Sequence, residues 1–180
     1  MKRILGISGS LRKRSFNTAL LRAAESRFHP LIEIGDISQI PLYNADIESN
    51  AMPEPVLQLK SRLMDAGGLL LVTPEYNSSV PGVLKNAVDW LSRPSLDVSN
   101  VFHGKPVAVI GASPGGFGTI MAQSAWLQVF HGMGGRFFSA RRLMVSGASR
   151  AFDEHGNLTD ETLTERLDQF IRAFRDFCAV

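Results

Sequence analysis

Residues 67–76 read GGLLLVTPEY, and from Leu69 to Val72 the run has no polar alternate. A strand with one wet face alternates apolar and polar residues; a strand covered on both faces does not. This segment therefore calls for a sheet with helices on both sides, and the flanking pattern supplies them. Residues 3–8 (RILGIS), 31–37 (LIEIGDI) and 106–111 (PVAVIG) read as further strands, and a weaker strand lies within 136–146. Between them apolar residues recur at helical spacing. Leu20, Leu21, Ala24 and Phe28 share one face, Val56, Leu59, Leu63 and Met64 a second, and Leu84, Ala87, Val88 and Leu91 a third behind Pro81. Ile120, Ser124, Leu127 and Phe130 predict a long helix that ends within Gly132–Gly135.

A last helix is predicted to start near Thr159, read as its cap, with Asp160 and Glu161 in the first turn. Its apolar stripe runs through Leu163, Leu167, Phe170, Ile171, Phe174 and Phe177. Strand and helix alternate five times, which predicts an α/β three-layer sandwich around a five-stranded parallel sheet. A Pro-rich stretch after residue 37 and residues 94–103 read as loops.

The chain has 180 residues, 44% of them hydrophobic, enough for one packed domain spanning 1–180 and short for two. A net charge of +2, with no block of like charges, does not read as a nucleic-acid binder. No apolar run approaches the ~18 residues of a membrane span, and the short apolar stretch before Gly9 does not read as a signal peptide. Cys178 is the only cysteine, so the chain cannot build an internal disulfide and suits a reducing cytoplasm. The histidines show no metal-ligand spacing.

In open sheets of this kind ligands bind beyond the carboxyl ends of the strands. Three loops follow strands there. The first, GSLRKRSFNT at 9–18, holds Arg12, Lys13 and Arg14, several hydroxyls and no acid. Gly9 permits a sharp turn. A helix starting near Ser15 or Phe16 presents unpaired N–H groups. Ser10, Ser15 and Thr18 add hydroxyls, Asn17 an amide and Arg12 a planar fork for phosphate oxygens. The same residues also suit an ordinary capped turn. The spacing is neither the ATP-type loop nor G-x-G-x-x-G.

The second loop, TPEYNSSVPG, is stiffened by Pro74 and Pro81, and its polar middle can face a flat heteroaromatic edge with Tyr76 beside it. It also reads as a surface turn. The third, GASPGGFGT, lets backbone approach a ligand closely. It also matches the G-x-S-x-G elbow of serine hydrolases, with Ser113 followed in chain order by Asp153 and His155. Pro114 opposes that reading, because the residue after the nucleophile must lend its N–H to the oxyanion hole.

Taken together, GSLRKRSFNTALL, TPEYNSSVPGVLKNAVDWLSR, GASPGGFGTIMAQSAWL and the late GNLTDETLTERLDQFI resemble the NADPH-dependent FMN reductase family, across most of the chain. These are flavodoxin-like proteins that include quinone, azo-dye and chromate reductases. The resemblance implies sheet order 2-1-3-4-5 and an FMN cofactor. It implies the phosphate on Ser10, Arg12, Ser15, Phe16, Asn17 and Thr18, and the ring edge at Pro74, Glu75, Tyr76 and Asn77. Ser113, Gly115 and Gly116 would line the other side.

It further implies NADPH or NADH as hydride donor, a small-molecule electron acceptor, no catalytic side chain, and a homodimer or homotetramer. The stripe at 81–91 and Trp126 are the candidate subunit contacts. Met121 stands where the family often has arginine. An FMN-binding electron carrier would use the same site. Carriers of this fold are commonly acidic, and this chain is near neutral.

Overall fold

The structure is a computed structural model and describes residues 2–180. The chain runs β1 (Ile4–Ser8), α1 (Phe16–Arg27), β2 (Ile32–Gly35), α2 (Ala45–Asn50), α3 (Glu54–Asp65), β3 (Gly68–Val72), α4 (Gly82–Leu91), α5 (Val98–Val101), β4 (Pro106–Ala112), α6 (Ile120–Gly132), β5 (Arg136–Phe137), β6 (Met144–Val145) and α7 (Glu161–Cys178). The sheet is parallel, in the order β2-β1-β3-β4-β5, with β6 also on β4.

The apolar run of β3 is explained by what covers it. Leu70 and Val72 join Leu20, Leu21, Leu167, Phe170 and Phe174 in the layer of α1 and α7. Leu69 and Leu71, one residue out of phase, join Leu59, Leu63, Leu84 and Val88 in the layer of α3 and α4. Alternate side chains leave opposite faces of a strand, so a strand between two helical layers has no polar position.

Four sequence expectations are corrected. The single strand expected within 136–146 is two short ones. Val107 pairs Phe137 while Gly111 pairs Met144, so residues 138–143 oppose only residues 108–110 and the excess chain leaves the sheet. The cap of α7 is Asp160, whose Oδ1 accepts the Leu163 N–H at 2.9 Å. Thr159 is drawn instead to the Ala151 carbonyl, to which its N–H donates at 3.0 Å. The two stretches read as loops contain helices. In α2 no residue is buried, and in the 94–103 stretch a 3-10 turn (Ser95–Asp97) leads into the single turn of α5. Trp126 is fully buried, which removes it from the surface available to another subunit.

The chain passes from β1 out to β2 and returns to β3 on the other side of β1. Ser8 pairs Val72, and Val72 pairs Ile110, so the loops after β1, β3 and β4 emerge side by side at the carboxyl edge.

Candidate active site

The first loop turns at Gly9, whose N–H donates to the Val72 carbonyl at 2.9 Å. A Cβ at position 9 would lie 2.9 Å from both Leu84 and Pro74 and 3.0 Å from Pro81, so the two proline-bounded ends of the second loop pack directly on the glycine. Ser15 then caps α1, its hydroxyl oxygen accepting the Thr18 N–H at 3.3 Å. Phe16 and Asn17, the first two helical residues, have N–H groups beyond the reach of intrahelical acceptors. Arg12 is exposed and in no ion pair among the described residues. The Ser10 hydroxyl accepts only a long 3.4 Å contact from the Arg12 N–H. This is a donor-rich, acid-free set, the chemistry that a phosphate monoester requires.

Two residues expected on the phosphate have other partners for their side chains. The Asn17 amide is buried: its Nδ2 donates to the Ala112 carbonyl at 2.9 Å and its Oδ1 accepts the Ala112 N–H at 2.9 Å. It ties the first loop to the start of the third and leaves only its backbone N–H for an anion. The Thr18 hydroxyl lies 2.8 Å from the Ser8 hydroxyl and donates to the Ser10 carbonyl at 3.5 Å, propping the loop from inside.

In the second loop Tyr76 and Ser79 exchange backbone hydrogen bonds of 3.2 and 3.0 Å around Asn77 and Ser78, both left-handed with φ of 49° and 60°. Two successive positive φ values make a two-residue turn of the primed type. Asparagine tolerates that conformation and serine adopts it at some cost. Tyr76 stands exposed beside this turn. The side chain of Glu75, expected at the ring edge, has partners within the protein. Its Oε2 accepts the N–H groups of Met121 at 2.8 Å and Ala122 at 3.1 Å, capping α6 from another segment. The need arises because Thr119, at the ordinary cap position, is left-handed (φ 67°) and makes no side-chain cap.

The third loop is anchored by the Ser113 N–H to Val145 at 2.9 Å and the Gly147 N–H to the Gly115 carbonyl at 3.0 Å. A Cβ at Gly116 would meet nothing within 4 Å, and one at Gly115 only Ser113 Oγ at 4.0 Å. The outer side of these two glycines is open, which fits a flat ring laid on backbone. Gly111, just before the loop, is required for a different reason. A Cβ there would fall 2.1 Å from Thr119 Oγ1 and 2.3 Å from the Thr73 carbonyl. In sequence this residue counts among the loop glycines that let backbone approach a ligand; in the fold the close approach is between segments of the chain itself, as at other strand glycines.

The hydrolase alternative fails on geometry as well as on Pro114. Asp153 accepts from the N–H groups of His155 and Asn157 and from the Asn157 amide, at 2.8–2.9 Å. The Asn157 amide first, then these backbone donors, hold its carboxyl below the usual range. His155 is exposed in that turn with Glu154 at 3.6 Å, and the Ser113 hydroxyl turns to Gly115, at 3.4 Å. A base and its orienting acid are thus absent from Ser113 among the described residues. No group of metal-ligating side chains occurs among them either.

A parallel sheet of this order, with its three loops at the point where strand order reverses, is a flavodoxin-like fold. The family model described as NADPH-dependent FMN reductase matches residues 2–150. An NAD(P)H-dependent FMN reductase of Pseudomonas aeruginosa is 42% identical over 175 residues, covering 96% of this chain and 93% of that protein. An NADPH:quinone oxidoreductase of Arabidopsis thaliana is 39% identical, covering 97% and 91%. The solved structure of FerB, a flavoenzyme NAD(P)H:(acceptor) oxidoreductase from Paracoccus denitrificans, superposes with a TM-score of 0.88 at 36% identity, covering 99% of this chain and 98% of that one. The chain belongs to the NADPH-dependent FMN reductase family.

Proposed function

We propose that this protein is an FMN-dependent NAD(P)H:quinone oxidoreductase, built as one FMN-binding domain over residues 1–180. The observation that carries the site assignment is the acid-free donor set of the first loop, opening beside glycines with clear outer faces. Ser10, Arg12 and Ser15 and the N–H groups of Phe16 and Asn17 would hold the phosphate. Pro74, Tyr76 and Asn77 would orient the ring edge, and Ser113, Gly115 and Gly116 would back the ring. When bound, FMN supplies the two-electron chemistry that links a reduced nicotinamide to the acceptor. In the net reaction a quinone, NAD(P)H and one proton give a hydroquinone and NAD(P)+. The chain's own part is to bind and orient, and to point backbone donors where negative charge gathers. No side chain is needed as acid or base.

Quinones are the acceptor this reading favours, since relatives named for quinone reduction in plants and bacteria cover nearly the whole chain. A homodimer is supported by the outer side of α6 and the loop before it. Phe117 in that loop and Met121 and Leu127 on the helix expose 79%, 51% and 43% of their surfaces, and the helix is apolar on its buried side as well. Met121 in the family's arginine position extends that apolar surface. No helix among the described residues is long and apolar enough to cross a membrane. The lone cysteine supports a cytoplasmic setting.

The test is an FMN titration followed by NADPH and NADH oxidation with a benzoquinone. Saturable FMN binding and steady turnover are expected. No FMN binding would overturn the reading, and bound FMN with zero turnover would favour the electron carrier. Light scattering on Leu127→Glu should report a monomer where the parent is a dimer.

A further inference from the structure

A groove of about 650 Å³ runs between the outer face of α1 and the 153–158 turn, a volume typical of small-molecule sites (~300–1,000 Å³). It includes Arg12, Ser15, Phe16 and Thr18 of the first loop but no residue of 74–77 or 113–116. It therefore adjoins the phosphate end of the site and leads away from the ring end.

Its floor is apolar. Ala19 and Ala23 are short, and the Phe16 ring sits beside Phe152 with centroids 5.9 Å apart. Its rim is cationic. Arg14 and Arg22 are exposed, and neither is in an ion pair among the described residues. Of the acids nearby, Asp168 is paired with Arg27 at 2.6 Å and Asp153 is held by its own turn, while Glu154 is exposed on the side of the groove opposite α1.

An apolar floor under unpaired guanidinium groups suits a flat heterocycle that carries phosphate. We propose that the groove binds the adenylate half of a dinucleotide, with Arg14 and Arg22 on its phosphates. Two molecules carry that chemistry. NADPH adds a 2′-phosphate to the adenosine, and FAD extends an adenylate from the phosphate in which FMN ends. The inference rests on the FMN reading, because it is the FMN phosphate loop that the groove continues.

The experiment uses calorimetry on FMN-loaded protein, titrated with adenosine 2′,5′-bisphosphate and with AMP. The bisphosphate should bind saturably and more tightly than AMP. The Arg14→Ala/Arg22→Ala double variant should weaken it by about tenfold or more, the range of charge-assisted hydrogen bonds, while its FMN affinity is unchanged. Arg22→Glu should weaken it further.

A second arm titrates flavin-free protein with FMN and FAD. FAD binding more tightly than FMN, with the advantage lost in the double variant, assigns the groove to FAD; bisphosphate binding without that advantage assigns it to NADPH. If neither ligand depends on Arg14 and Arg22, the groove proposal falls and FMN binding stands. If FMN itself does not bind, both fall.

Discussion

Glu75 caps the helix that carries Met121: its carboxylate accepts the Met121 N–H at 2.8 Å and that of Ala122 at 3.1 Å, across 46 residues of sequence. A carboxylate at a helix N-terminus gains from two orphan donors and from the helix dipole. Glu75→Ala should therefore cost about 1–2 kcal/mol of unfolding free energy. Glu75→Gln, which keeps an acceptor but loses the charge, should cost less. Urea denaturation of the three proteins checks the order. Equal stability of all three would show that the cap contributes nothing.

Arg12→Ala should act on the ligand and leave the fold alone. The side chain is exposed and in no ion pair among the described residues, so unfolding should be unchanged. Losing a charge-assisted phosphate contact should weaken FMN by ~1.5–3 kcal/mol in a fluorescence titration. Unaltered affinity would place Arg12 in solvent.

Asn17→Ala should do the reverse. It strips the partners from the buried Ala112 N–H and carbonyl, and leaving both unsatisfied costs ~2–4 kcal/mol. A thermal or urea midpoint unchanged by Asn17→Ala would show that the bridge is dispensable.

Arg27 forks onto Asp168 at 2.6 and 2.7 Å and joins α1 to α7. The Arg27 hydrogen bonds hold the Asp168 carboxyl below its ordinary value of 3.8. Its folded value being the lower one, the pair stabilises the fold above the unfolded value, and that contribution is lost as pH falls through the folded value. The pair is partly exposed and screened, so Asp168→Asn should cost only ~0.5–1 kcal/mol near neutrality. The difference from the parent should shrink as the melts are moved to pH about 3 and below. A difference constant with pH would assign the effect to packing.

The Cys178 thiol is pushed up to about 11, chiefly by burial. A thiol reagent near pH 7.5 should label the native protein slowly and the unfolded protein promptly, because only the thiolate reacts. Rapid native labelling would mean that the C-terminal turn of α7 opens.

Long periodic elements were legible because their burial is written in local spacing, and α7 and β3 are the clearest cases. α2 was not, because it buries nothing and is started by its Asn44 cap, which accepts the Asp46 N–H at 2.8 Å. The split of β5 from β6 was not either, since it depends on which residues of β4 each short strand meets. At the site, the residue types suited to phosphate were readable from GSLRKRSFNT. The division of labour among them was not. Asn17 and Glu75 look like ligand contacts in sequence because amides and carboxylates serve ligands and backbone alike. Only the positions of Ala112 and α6, distant in the chain, reveal the backbone partners of their side chains.

The Asn17–Ala112 bridge joins the two ends of the proposed site with bonds that need no ligand. The spacing between the start of α1 and the start of the third loop is thus set when the chain folds. On the proposed reading, a cofactor spends its binding free energy on ordering exposed side chains such as Arg12 and not on bringing the two loops together. Affinity and foldability become separate properties of this surface, free to drift independently: solvent-side residues can be retuned for a new nucleotide while the tie beneath them keeps the spacing fixed.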